Sequence, residues 1–169
     1  MLKIAYLETD NKELSRLILE GNYKYYSFTS YEYYDRVELD NDEWNTISRV
    51  SVDDCGNILG YFSASTNRTQ QKITSMSFVK FRYKFNEYGD NDRLESIVGE
   101  DLNEFIEEIM THPILKLVKF SAIKDNPANK TYNKWIEKYG GKRYLYEKSV
   151  MLRDGLFYDV WGYYFCRRT

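Results

Sequence analysis

The run LKLVKFSAI at residues 115–123 leaves few folds open. A mostly apolar run of this kind reads as a strand inside a sheet, with other elements packed over it. Helical stripes lie on either side of it in the sequence. Before it, Leu102, Phe105, Ile106 and Ile109 recur at helical spacing and predict a helix over residues 97–111, stopped by Pro113. After it, DNPANKTYNKWIEKYGG at residues 125–141 puts Tyr132, Trp135, Ile136 and Tyr139 on one helical face and ends in two glycines. A sheet with helices laid over it is therefore the expected architecture.

The remaining elements fill in around that unit. Residues 2–7 read as a short strand, and Asp10 or Asn11 is expected to cap a helix carrying Leu14, Leu17 and Ile18 and closed by Gly21. Ser30 is placed to cap a second helix over residues 31–39. Alternation over residues 47–52 and 58–64 around the turn DDCGN predicts a hairpin. A long strand, ITSMSFVKFRYKF, is expected next, with Val79, Phe81, Tyr83 and Phe85 on one face and Lys80, Arg82 and Lys84 on the other. NEYGDNDRLES reads as a polar loop, and the chain closes with strands at 142–152 and 156–165 joined by RDGL. The order β-α-α-β-β-β-α-β-α-β-β describes one α+β domain over residues 1–169 with a mainly antiparallel sheet.

Several function classes drop away on chemistry alone. His112 is the single histidine, and Cys55 and Cys166 are the only cysteines, so neither a histidine-rich metal site nor a disulfide framework is expected. His112 precedes Pro113 at a helix end, where a cationic ring would complement the helix dipole. With Lys+Arg 24 against Asp+Glu 26, the chain lacks the footprint of a nucleic-acid binder, and the three bases on the long strand read as a solvated face. No run is long and apolar enough to span a membrane, and a cytoplasmic setting is expected. The unusual feature of the composition is its 17 tyrosines, whose rings suit half-exposed strands and interaction surfaces.

Three stretches carry a family resemblance. GNILGY after the hairpin turn, an Asn-containing cap with a helix ending EKYGG, and the closing RDGLFYDVWGYYF together resemble the GNAT superfamily of acyl-CoA-dependent N-acyltransferases. The likeness in layout covers residues 45–165 and is densest over 125–165. It implies a GNAT-like fold: a mixed, mostly antiparallel, twisted sheet of about six to seven strands flanked by about four helices. It also implies acetyl-CoA as acyl donor, no metal, and a small amine or protein amine as acceptor. By the same resemblance the Val79 and Phe81 backbone would hold the cofactor arm, Asn126 or Asn129 would contact the cofactor, and Tyr132 would protonate the leaving thiolate.

The chain also departs from that pattern. The family carries Arg/Gln-x-x-Gly-x-Gly/Ala after the long strand, where glycines let backbone N–H groups reach a diphosphate. Here the segment is YGDNDRLESIVGEDL, acidic at Asp90, Asp92, Glu95, Glu100 and Asp101. Ser96 and the backbone of residues 97–99, ending at Gly99, are the remaining candidates for a weaker anion cradle. Ile136 falls where many members place the proton-donating Tyr. A second reading follows: a catalytically silent GNAT-like protein, similar to those of phages and mobile elements, that uses its tyrosines to bind a protein partner.

Overall fold

The computed structural model describes residues 1–5, 7–21, 44–151 and 155–167. The strands are β1 (Leu2–Ile4), β2 (Thr46–Val52), β3 (Ile58–Asn67), β4 (Lys72–Lys80), β5 (Leu117–Ile123), β6 (Lys142–Met151) and β7 (Phe157–Cys166). The helices are α1 (Leu7–Glu20), a single turn α2 (Phe85–Tyr88), α3 (Asn91–Thr111) and α4 (Asn129–Tyr139). The expected helix over residues 31–39, and the tyrosine-rich segment around it, lie outside the described residues.

Among the described residues the strands form one seven-stranded sheet in the order β1-β2-β3-β4-β5-β7-β6. β4 and β5 run parallel, and every other neighbouring pair is antiparallel. Two cores cover the two faces. On one, Leu14, Leu17 and Ile18 of α1 pack against Val50, Val52, Tyr61, Val79 and Phe81. On the other, Phe105, Ile106 and Ile109 of α3 and Tyr132 and Trp135 of α4 pack against Phe62, Ile73, Val118, Phe120 and Tyr163. The apolar run at residues 115–123 is thus interior to the sheet, with Val118 and Phe120 buried under α3 and α4.

Several boundaries differ from the sequence reading. α1 starts at Leu7, so Asp10 lies inside it, and β1 ends at Ile4. The long strand ends at Lys80 rather than running to residue 85. Phe81 N–H closes the ladder on Leu59 C=O (2.9 Å), and Lys84 N–H then bonds back to Phe81 C=O (2.9 Å), turning the chain into a 3₁₀ turn at Arg82–Lys84. The aromatic alternation misleads because Phe81 joins the α1-side core while Phe85 joins the α3-side core. The basic row is broken in the same way, since Lys80 and Arg82 both reach Glu95 while Lys84 reaches Glu87. Finally, α3 begins at Asn91, about two turns early, because Asp90 caps it and Leu94 and Val98 extend its buried stripe.

His112 corrects the expected cationic cap. Its Nδ1 accepts from the N–H groups of Ile114 (3.2 Å) and Leu115 (3.3 Å), which requires the neutral ring. Burial first, then the nearby Arg68, push its pKa below the ordinary value. A depressed folded-state pKa means stability is fully present above the unfolded value of about 6.5 and is lost as pH falls through the folded value. Urea unfolding at pH 7.5 and pH 5 is expected to show this loss in the wild type. His112→Asn, whose side-chain oxygen can accept without titrating, should show a smaller one.

Candidate functional site

The site starts from an irregularity in the sheet. β4 and β5 pair only at Lys72–Leu117 and Ile73–Val118, and beyond those residues no ladder joins them. The cause is local. On the β3 side, Ser65 pairs with Ser75 and Thr66 with Ile73, which leaves Thr74 as an extra residue on β4. Such a bulge bends its strand and increases its twist. The two parallel strands therefore separate toward their C-terminal ends, and a gap opens inside the sheet.

Alternation identifies which backbone groups face the gap. In an antiparallel ladder, alternate residues direct both N–H and C=O to the same neighbour. Phe81 N–H bonds to β3, so Val79, Ser77 and Ser75 also face β3. The main chain of Met76, Phe78 and Lys80 then faces β5. On β5, Lys124 N–H bonds to Asp159 C=O on the β7 side (2.8 Å), and Leu117 N–H bonds to Gln71 C=O on the β4 side (3.2 Å). Lys119, Ser121 and Ile123 consequently point their main chain into the gap. Val79 and Phe81, the sequence candidates for the cofactor arm, have the wrong parity, and both Phe81 backbone groups are already bonded.

One side of the gap is closed by aromatic rings. Phe78 of β4 and Phe120 of β5 meet edge to face at 6.2 Å, and both touch Tyr132 (6.1 and 5.2 Å) and Trp135 (5.8 and 6.2 Å) of α4. Tyr132 is buried and forms part of this floor, between the two diverging strands. The other side is open: Thr74, Ser75, Lys119 and Ser121 are exposed.

Asn129 locks the end of the gap. It is buried, and its Nδ2 donates to the C=O of Ile123 (2.8 Å) and Lys124 (2.6 Å), while its Oδ1 accepts from Tyr163 Oη (2.7 Å). Burial pushes the Tyr163 phenol up, keeping it a donor. Asn129 thus ties the first turn of α4 to β5 and β7. Asn126 makes a tight turn before α4, its Oδ1 accepting from Ala128 N–H (2.9 Å). Gly140, at φ +73°, ends the helix in the left-handed conformation that glycine tolerates.

Ser96 and Gly99 are not at a helix end. They lie within α3, where the N–H groups of residues 97–99 are interior to the helix, and Ser96 Oγ donates to Glu100 (3.1 Å). The expected anion cradle at these residues is therefore overturned. The true N-terminus of α3 is occupied by its own cap: Asp90 Oδ1 accepts from the N–H groups of Asp92 (3.0 Å) and Arg93 (3.2 Å), and Asp90 C=O accepts from Leu94 N–H (3.0 Å). The surrounding cations are engaged as well. Lys80 (2.9 Å) and Arg82 hold Glu95, Lys84 holds Glu87 (3.0 Å), and Arg93 holds Asp54. Burial raises the Glu95 carboxyl, but its two cationic partners outweigh that and keep it below the ordinary carboxylate range. Among the described residues, no group of three or more His, Cys, Asp and Glu side chains could hold a metal ion. No helix there is long and apolar enough to cross a membrane.

No family model and no curated protein matches the sequence. Solved structures do match its fold. An acetyltransferase of the GNAT family from Streptococcus pneumoniae superposes with a TM-score of 0.65 at 17% identity, covering 99% of each chain. Ribosomal-protein-alanine N-acetyltransferase from Brucella melitensis gives the same values. Spermidine N-acetyltransferase from Vibrio cholerae, in complex with CoA and spermine, gives a TM-score of 0.61 at 13% identity over 98% of this chain and 94% of that one. The chain has the GNAT fold.

Proposed function

We propose that the protein is an N-acyltransferase that moves an acetyl group from a thioester to an amine. The observation that carries this reading is the gap between β4 and β5, opened by the Thr74 bulge beyond the last bridge at Ile73–Val118. Its unpaired backbone edges can bond an extended amide-bearing arm as a further strand would. The aromatic floor supplies an apolar wall, and the open side at Ser75, Lys119 and Ser121 lets an amine approach. The neighbours described as acetyltransferases of polyamines and of a ribosomal protein's alanine support an amine as acceptor.

The amine nitrogen attacks the thioester carbonyl; a C–N bond forms, the C–S bond breaks, and the nitrogen loses a proton as the thiolate departs. Orientation by the gap and carbonyl polarisation by strand N–H groups provide most of the acceleration. Tyr132 brings a phenol to the floor between the strands and is proposed to protonate the thiolate, in place of the Ile136 side chain, which carries no proton to give. Asn126 and Asn129 serve the donor by shaping the start of α4. Tyr132→Phe keeps the ring and removes the hydroxyl. Turnover with acetyl-CoA and a panel of amines should fall about 10²-fold with the melting temperature retained. Turnover equal to wild type would reduce Tyr132 to packing alone. Absence of any thioester binding at millimolar concentration would overturn the acyltransferase reading.

A further inference from the structure

An acyl donor of the CoA type has two parts that need different sites: an uncharged amide-bearing arm and a nucleoside diphosphate. The gap fits the first. The second needs free N–H groups and cations, ordinarily at a helix N-terminus beyond the C-terminal ends of parallel strands. In this protein that position is the start of α3, following β4, and it does not fit a diphosphate. The N–H groups of Asp92 and Arg93 are spent on Asp90 Oδ1, and that of Leu94 on Asp90 C=O. The cap is itself a carboxylate, exposed beside Asp92. The cations Lys80, Arg82, Lys84 and Arg93 each hold a carboxylate: Glu95, Glu95, Glu87 and Asp54. A diphosphate would have to displace one carboxylate and lie against others, with like-charge repulsion at close range.

Building on the acyltransferase reading, we propose that the natural donor is a pantetheine thioester that brings no nucleoside diphosphate to the start of α3, and that Asp90 sets this preference. The arm enters between β4 and β5, along the backbone of Met76 and Phe78 and of Lys119 and Ser121. Asp90 excludes the diphosphate by filling the N–H groups that would bind it and by its charge.

The test compares S-acetyl-pantetheine with acetyl-CoA by calorimetry and thermal shift, which need no acceptor and no turnover. Wild-type protein is expected to bind S-acetyl-pantetheine at least as tightly as acetyl-CoA. Asp90→Gly removes both the side-chain acceptor that fills the N–H groups and the charge, and glycine is tolerated at a helix N-cap. It should tighten acetyl-CoA about tenfold and leave S-acetyl-pantetheine unchanged. Wild-type affinity for acetyl-CoA tenfold or more above that for S-acetyl-pantetheine would overturn the proposal while leaving the acyltransferase reading intact. So would an Asp90→Gly variant whose acetyl-CoA affinity does not move. Failure of both thioesters to bind would remove the acyltransferase reading and this proposal together.

Discussion

Asn129→Ala is expected to lower the free energy of unfolding by about 3–4 kcal/mol. The side chain makes three hydrogen bonds in a buried position: two donated to the C=O of Ile123 and Lys124, one accepted from Tyr163 Oη. Alanine leaves the Lys124 carbonyl and the Tyr163 hydroxyl without these partners, and the desolvation cost of such groups is what makes the loss large. The Ile123 carbonyl is less affected because Asn126 N–H also reaches it (3.0 Å). Asn129→Asp should be no milder, since a carboxylate cannot donate to two carbonyls. Tyr163→Phe should cost about 1–2 kcal/mol, and the double variant less than the sum, because one bond is shared. Urea unfolding of these variants beside the wild type measures all of this. A loss below about 1 kcal/mol for Asn129→Ala would show that water replaces the side chain at little cost. Because Asn129 anchors α4 over the end of the gap, thioester binding should weaken along with stability.

Phe120→Ala is expected to cost about 3–5 kcal/mol, the range for a large buried aromatic side chain. Phe120 stacks on Tyr163 with ring centroids 4.9 Å apart and planes at 9°, and on Phe165 at 6.1 Å and 10°. It also meets Phe78, Tyr132 and Trp135. It is therefore the ring through which β5, β7 and α4 share one core, and alanine leaves a cavity under the gap. Phe120→Leu, which fills part of that volume, should lose distinctly less. Thermal unfolding gives the stability. Thioester titration at a temperature where both variants remain folded gives the functional effect. Affinity is expected to be highest in the wild type, lower in Phe120→Leu and lowest in Phe120→Ala. Equal stability of the alanine variant and the wild type would mean that the neighbouring rings collapse into the space.

The elements were largely legible in the sequence because side-chain periodicity is local. The stripe Leu14, Leu17 and Ile18, the stripe Phe105, Ile106 and Ile109, and the turn at DDCGN all appear in the structure as read. In that turn Asp53 Oδ1 accepts from the N–H groups of Cys55 (2.9 Å) and Asn57 (2.8 Å). The reading fails where residues of one pattern serve two cores. Phe81 and Phe85 look like one strand face but are buried on opposite sides of the sheet. Leu94 is masked in the sequence by its charged neighbours, and its burial depends on the Asp90 cap.

The candidate site was less legible. Asn129 and Tyr132 could be picked out by their place in the helix after the apolar strand, yet their roles came from partners far along the chain, Tyr163 and Phe78. By itself the sequence determined the order of the strands and of α1, α3 and α4, the two glycines that end α4, and the acidic charge of the segment that opens α3, since each follows from residue type and spacing. Only the tertiary structure decided that β4 and β5 separate after Ile73–Val118 and that Met76 and Phe78, rather than Val79 and Phe81, face the opening. The physical reason is that the direction of a strand's hydrogen bonds is set by its register with its neighbours, and the Thr74 bulge that sets this register exists only once β3 and β4 have paired.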